Sequence, residues 1–333
     1  VKLIVQIPCY NEEKTLPLVL ASIPRQIPGI DKVEVLVIDD GSTDRTAEVA
    51  RQMGADYVVR HSRNRGLAMA FYTGLDTALR LGAHIIVNTD GDNQYPQEEI
   101  PRLIRPILEG RADVVIGDRR PHQIQHFSPA KRLLHRVGSW VVRLGSGTSV
   151  PDAPSGFRAF SREAALQLNV ISRYTYTLET IIQAGKKKLA VESVEIDTNP
   201  QLRESRLIRG LWDYVKKSAS TIVRTYAMYE PLKVFFYAAA PITLAGLFLI
   251  GRFFYFFFFQ PPATGHVQSV VIGTSLFVTG ALVALIGLVA DLIAGNRLLI
   301  EDALRRIKRL ELELAERHDV EVTLGESEVR GKG

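Results

Sequence analysis

Asp90, Gly91, Asp92, Asn93 and Gln94 follow directly on an apolar run, within IIVNTDGDNQY (85–95). Two carboxylates separated by one glycine can hold a hard divalent cation beside phosphate oxygens. Asp, Gly and Asn are also ordinary turn residues, so the spacing alone leaves a solvated turn as the alternative. A second acidic group, Asp39, Asp40, Gly41, Ser42 and Thr43, follows Val33 to Ile38. Helix capping by Asp, Ser or Thr is its simplest reading. Two such endings in succession point instead to a ligand edge. A third polar group, Tyr10, Asn11, Glu12 and Glu13, follows Pro8. It suits either a grip on a nucleotide or a strand exit into a capped helix. Further on stand Arg119, Arg120, Lys131, Arg132 and the segment Ser155-Gly156-Phe157-Arg158. Guanidinium pairs bidentately with phosphate oxygens, although a solvated charge is the ordinary state of any one arginine.

These residues need a scaffold that brings strand ends together. Lys2 to Ile7, Val33 to Ile38, Asp56 to Arg60, Ile85 to Thr89 and Asp113 to Ile116 read as strands. Helical patterns separate them, including Leu67 to Leu81 and Gln97 to Leu108. Such alternation predicts an α/β, doubly wound, mostly parallel sheet. Ligands of open α/β sheets bind at the carboxyl ends of the strands, which is where the acidic groups fall. Neither G-x-G-x-x-G nor G-x-x-x-x-G-K-[ST] is present, so a bound nucleotide needs a metal and arginines for its phosphates. Asn169 to Gly185 reads as helix and Leu189 to Ile196 as strand, with Glu179 either reaching a bound ligand or lying on the helix surface.

The chain has 333 residues, 46% hydrophobic and 23% charged, with a net charge of +5. That composition is ordinary for a folded protein but conceals a split. Residues 234–259 and 267–290 are almost wholly apolar, each long enough to cross a bilayer. The excess of Lys and Arg near them favours anionic lipid or a phosphorylated substrate over nucleic acid, for which no motif appears. Cys9 is the only cysteine, which excludes an intrachain disulfide or a cysteine-built metal site. VKLIVQIPCY reads as a strand and not as a signal peptide. Residues 203–229 are amphipathic and basic, as in a helix lying on a membrane surface. Lys216, Lys217 and Lys233 flank the apolar pair on one side, and Arg297, Arg305 and Arg306 on the same side. The positive-inside rule then places the catalytic part and both ends in the cytoplasm. Pro241 is expected to kink the first span. Arg297 to Arg317 reads as a charged helix with Leu298, Leu299, Leu304, Ile307, Leu310 and Leu314 on one side. It packs either on the catalytic domain or on a neighbouring subunit of a homo-oligomer. The expected division is 1–202 catalytic domain, 203–230 juxtamembrane helices, 231–294 transmembrane hairpin and 295–333 C-terminal helix and tail.

PCYNEE, DDGSTD, DGDNQY and SGFRAFSREA, in that order, resemble the family 2 glycosyltransferases of GT-A fold. Within that family they are similar to the dolichol-phosphate mannose synthase group, the polyprenyl-phosphate glycosyltransferases. The resemblance spans residues 3–230, and the two apolar segments match the membrane-anchored bacterial branch. It implies transfer of one sugar from a UDP- or GDP-sugar donor to a polyprenyl phosphate, with inversion and with Mg²⁺ or Mn²⁺ as cofactor. By motif, Pro8, Tyr10, Asn11 and Glu12 border the nucleotide, and Asp39 and Asp40 hold base or ribose. Asp90 faces the nucleotide or its metal, and Asp92 and Gln94 hold the metal. Arg119, Arg132, Ser155 and Arg158 line the acceptor phosphate, while Asp152 is either a base or an orienting group. The family pattern D-A-D-x-Q-H reads D-G-D-N-Q-Y here, with Tyr95 in place of histidine. The Q-x-x-R-W motif of processive synthases is absent, in keeping with single-sugar transfer. A nucleotidyltransferase on a similar sheet, or a nucleotide-sugar binder without activity, are the competing readings. The sugar itself is left open.

Overall fold

The computed structural model describes residues 1–120, 139, 142–143, 145–170, 176–200, 219–220, 223–224, 226–259 and 267–330. Its described residues divide into two units, Val1–Val223 with Arg305–Gly333, and Arg224–Leu304.

The larger unit is built on seven strands: β1 (Lys2–Cys9), β2 (Lys32–Asp39), β3 (Tyr57–Arg60), β4 (Ile85–Asn88), β5 (Val114–Asp118), β6 (Arg158–Ser161) and β7 (Val191–Glu195). Their order in the sheet is β3-β2-β1-β4-β6-β5-β7. All pairs are parallel except those of β6, which runs antiparallel to β4 and to β5. Helices α1 (Leu16–Ser22), α2 (Thr46–Gln52), α3 (Leu67–Arg80), α4 (Ile100–Leu108), α5 (Arg162–Gln167) and α6 (Thr177–Lys186) connect or follow the strands.

The apolar runs are continuous because both sheet faces are buried. Alternate side chains go to opposite faces. Ile4, Leu36, Ile38, Ile86 and Phe160 join Phe71 and Leu75 of α3 and Ile181 of α6 in one core. Leu3, Val5, Val35, Val37 and Val87 join Leu16 of α1 and Leu103 of α4 in the other.

Two elements differ from the sequence expectation. β6 lies in the segment Ser155 to Ala164, which reads as a motif and not as a strand. Its four residues are too few for a periodic signal, and its partners β4 and β5 supply the pairing. Helix α6 begins at Thr177 instead of Asn169, and α5 stands before it, capped by Ser161 accepting from the Ala164 amide.

The smaller unit contains α7 (Pro231–Phe259) and the first part of α8 (Val267–Arg330). Both helices are long and apolar enough to cross a membrane. Pro241 lies inside α7. Gly273, Gly280 and Gly287 repeat at seven-residue steps on α8. A Cβ on Gly280 would stand 2.2 Å from Thr243 Oγ1, and one on Gly287 2.6 Å from Phe235 Cβ. Small residues let membrane helices approach this closely. The juxtamembrane stretch 203–218 lies outside the described residues.

The second apolar segment and the charged C-terminal helix are one helix, α8, and not two. From Arg305 onward it belongs to the larger unit. Lys308 Nζ donates to Tyr72 Oη of α3 at 3.0 Å and sits over that ring. Arg305 and Arg309 pair with Glu163 of α5, and Glu311 with Arg80. Leu312 is buried in the core beside these contacts. Positions 305, 308, 309 and 312 share one helical face. The apolar stripe does not take part in this contact, with Ile307, Leu310 and Leu314 all more than half open. Leu312→Ala should destabilise the larger unit by about 2 kcal/mol, seen as a lower thermal midpoint in detergent. An unchanged midpoint would show that the segment contributes nothing to the core.

Candidate active site

The acidic stretch turns sharply off the end of β4. A Cβ on Gly91 would stand 2.8 Å from Cys9 Sγ, so only glycine lets the turn cross the end of β1 so closely. Asn93 has a φ of 60°, and the Gln94 amide donates to Asp92 Oδ1 at 3.2 Å. Asn199 secures the far side, its amide donating to the Gln94 carbonyl at 2.9 Å. Asp90 and Asp92 are thereby held half-buried side by side. Burial and the neighbouring Asp92 push the Asp90 carboxyl up to about 7, against the pull of Arg119.

Two neighbouring carboxylates, one of them with a raised pKa, fit a divalent cation. No group of three His, Cys, Asp or Glu side chains gathers among the described residues. A donor set this small suits Mg²⁺ or Mn²⁺ completed by substrate phosphate oxygens and water, and does not suit a closed protein cage. Gln94, expected among the ligands, instead turns its Oε1 toward Arg119 Nη1 at 3.4 Å.

Parallel pairing of β1 with β2 sets Cys9 opposite Asp39 and so joins the first two polar groups. The Asn11 amide donates to Ser42 Oγ at 2.9 Å, and the Thr43 amide to Asn11 Oδ1 at 2.8 Å. The Glu12 amide donates to Thr46 Oγ1 at 2.8 Å. Pro8 ends in the buried strand, while Tyr10 is exposed at the rim. Asp39 accepts from the Ser42 amide at 2.9 Å, and its Oδ2 is buried without a hydrogen-bond partner, 3.1 Å from Arg60 Nε.

Asp40 is different. Its Oδ1 meets His61 Nδ1 at 2.7 Å and the Arg65 amide at 2.9 Å, and its Oδ2 accepts from the Gly66 amide at 2.8 Å. Both oxygens are used within the fold, so Asp40 shapes the loop before α3. This corrects the expectation that it holds base or ribose.

The arginines also separate. Arg119 binds Asp152 through Nε to Oδ2 at 2.7 Å and Nη2 to Oδ1 at 3.0 Å. Burial pulls the guanidinium pKa down, but Asp152, Tyr95 and Asp90 more than reverse this, leaving it above its ordinary value. Asp152 is fully buried in that bidentate pair. Both of its oxygens are engaged by the Arg119 guanidinium.

Arg158 is fully buried at the start of β6. Nε donates to the Ser155 carbonyl at 2.7 Å, Nη2 to the Ala153 carbonyl at 2.7 Å, and Nη1 to the Thr177 carbonyl at 2.8 Å and Thr180 Oγ1 at 2.7 Å. Burial pushes its pKa down to about 10. This is a correction: Arg158 clamps the 153–155 backbone to α6 and has no face left for an acceptor phosphate. Ser155 Oγ is buried without a hydrogen-bond partner. Arg132 lies outside the described residues. Glu179, expected at a ligand or on the helix surface, is buried and accepts from Gln183 Nε2 at 3.2 Å.

Sequence reasoning missed Asn88 and Tyr95 as builders of the site. Asn88 Nδ2 donates to the Gly156 carbonyl at 2.8 Å, and Tyr95 Oη accepts from the Gly156 amide at 2.9 Å. The available signal was an asparagine ending an otherwise apolar strand.

The raised pKa of Asp90 has a consequence for stability. The native state keeps a proton that the unfolded chain releases between pH about 4 and about 7. The stability from this group is present below about pH 4 and lost as pH rises toward 7. Metal-free protein should therefore melt lower at pH 8 than at pH 5 by a margin that Asp90→Asn reduces. Equal margins in melts of the two proteins would contradict the assignment.

Residues 4–168 match the family described as Glycosyl transferase family 2. The chain is 32% identical over 202 residues to a dolichyl-phosphate hexose transferase of Haloferax volcanii, covering 60% of this chain and 83% of that one. It is 30% identical over 216 residues to the UDP-N-acetylglucosamine--dolichyl-phosphate N-acetylglucosaminyltransferase of Methanococcus voltae, covering 58% and 83%. Among solved structures it is similar to glucosyl-3-phosphoglycerate synthase from Mycobacterium tuberculosis in complex with Mn²⁺, UDP-glucose and phosphoglyceric acid. That likeness has a TM-score of 0.53 and 26% identity, covering 68% of this chain and 78% of the other. With the mixed, mostly parallel sheet and the acidic pair at the end of β4, these likenesses show that the chain is a glycosyltransferase of family 2.

Proposed function

We propose that the protein transfers a single sugar from a UDP- or GDP-sugar to a polyprenyl phosphate, with inversion, at the cytoplasmic face of a membrane. The observation that carries this reading is the juxtaposition of the Asp90–Asp92 pair with the partly buried Arg119, in a chain that also has two membrane-length helices. The reaction joins two anionic reactants, so it needs positive charge on both sides. The named polyprenyl-phosphate transferases among its relatives support the acceptor class.

In this reading an oxygen of the acceptor phosphate attacks the anomeric carbon. A new C–O bond forms there as the bond to the nucleoside diphosphate breaks on the opposite face. Asp90 and Asp92 would hold Mg²⁺ or Mn²⁺, which would supply positive charge to offset that of the departing diphosphate. Asp39 and the loop of Pro8, Tyr10, Asn11 and Glu12 border the nucleotide. Arg119, aimed by Asp152, attracts the acceptor phosphate and offsets its charge. The acceptor has a second pKa of about 6, so it arrives largely deprotonated. No base is required, which agrees with Asp152 being committed to an ion pair. Ser155 Oγ supplies a donor to a phosphate oxygen. Lys and Arg flanking the apolar helices favour both ends on the cytoplasmic side.

The test incubates the purified protein in detergent with labelled nucleotide sugars, Mg²⁺ or Mn²⁺, and polyprenyl phosphate. Label is expected in the lipid extract with one donor, and Asp92→Ala should lose at least 100-fold in rate while still folding. Binding of a nucleotide sugar without lipid-linked product from any donor would overturn the reading.

A further inference from the structure

Tyr95 closes the acidic stretch. It is almost fully buried, and its ring stacks on Phe157 with centroids 5.2 Å apart and planes 12° apart. Its hydroxyl oxygen accepts from the Gly156 amide at 2.9 Å, and Arg119 Nη1 lies 3.5 Å from the same oxygen. The Gly156 carbonyl accepts from Asn88 Nδ2 at 2.8 Å. Gly156 is therefore held at both of its peptide groups by side chains that bracket the acidic stretch in sequence. Asn88 comes just before it and Tyr95 just after.

Gly156 in turn lies against Asp90. A Cβ added there would stand 2.6 Å from Asp90 Oδ2 and 3.0 Å from Oδ1. Its φ is not in the left-handed region, so space for the carboxylate, and not backbone freedom, requires glycine. Asn88 is itself fixed by Gln6 Nε2, which donates to its Oδ1 at 2.9 Å. The chain of contacts runs from the sheet through Asn88 and Gly156 to Tyr95, and from Tyr95 to Arg119.

We propose that Tyr95 is a positioning residue for the transfer reaction, pinning Gly156 against Asp90 and seating Arg119 beside the carboxylate pair, so that the donor and acceptor sides of the site are fixed as one unit. The inference rests on the function proposed above only for the identity of the two reactants. Buried hydrogen-bond networks rigidify a site, and a small misplacement of reacting groups costs roughly 100-fold in rate.

Tyr95→Phe keeps the ring and its stack on Phe157 but leaves the Gly156 amide without an acceptor. Three readouts on the full-length protein test it. Deuterium uptake in peptides covering Ser155 to Phe157 should rise. The thermal shift produced by UDP with Mn²⁺ should shrink, while the shift with UDP alone stays unchanged. In the transfer assay kcat should fall roughly 10- to 100-fold, with KM for the nucleotide sugar within about threefold. Gly156→Ala, which displaces the Asp90 carboxylate with Tyr95 intact, should reproduce the loss of the Mn²⁺-dependent shift. Wild-type exchange and a wild-type Mn²⁺-dependent shift in Tyr95→Phe would overturn the proposal. So would a rate loss fully explained by a smaller folded fraction. If Tyr95→Phe does not fold, a wild-type Mn²⁺-dependent shift in Gly156→Ala overturns it, and loss of that shift supports it. The exchange and thermal readouts do not depend on the acceptor. If they change as expected while no donor yields lipid-linked sugar, the positioning role stands and the function reading fails.

Discussion

Repulsion between Asp90 and Asp92 is the constraint on which the site depends. Two carboxylates at a partly buried strand end cannot both ionise cheaply. Arg119 lies near, but its guanidinium is committed to Asp152 and only partly offsets the pair. Two acidic side chains therefore share the carboxyl end of β4 with burial raising the cost of charge on Asp90, a setting that suits a divalent cation. Strain of this kind is retained at functional sites and offset by the surrounding core, here by two continuous apolar layers on either side of the sheet.

The antiparallel strand β6 turns this acidic strand end into a two-sided site. It enters the sheet between β4 and β5, which are neighbours in the chain but not in the sheet. Its register sets Arg158 opposite Asn88. The segment before it, Ser155 to Phe157, is thereby brought against the acidic turn. Arg158 locks that segment from behind through neutral carbonyls, and Asp152 at its beginning reaches Arg119 at the end of β5. A simple parallel sheet would leave these groups on separate loops.

Much of this was legible in the sequence. Five apolar runs ending in polar groups define β1 to β5, and the spacing of acidic residues locates the site at their carboxyl ends. The apolar segments of α7 and α8 are equally plain. What the sequence did not disclose depends on tertiary pairing. β6 is too short to carry a period. Arg158 reads as a phosphate ligand because nothing in SGFR distinguishes a buried guanidinium bound to carbonyls from an exposed one. Asp40 looks like a ligand because its three partners, His61, Arg65 and Gly66, stand more than twenty positions along the chain. The contact face of α8 was illegible for a similar reason. Long basic side chains and one leucine, Leu312, make it, while the more obvious leucines face outward.

The central claim is that Asp90 and Asp92 hold a divalent cation jointly with the donor diphosphate. Electron paramagnetic resonance of Mn²⁺ titrated into the full-length protein, with and without UDP, tests it most directly. The account predicts weak depletion of free Mn²⁺ by the protein alone, strong depletion when UDP is present beyond that due to UDP itself, and tighter binding as pH rises from 6 to 8. Depletion that is independent of UDP, or that persists undiminished in Asp92→Ala, would contradict it.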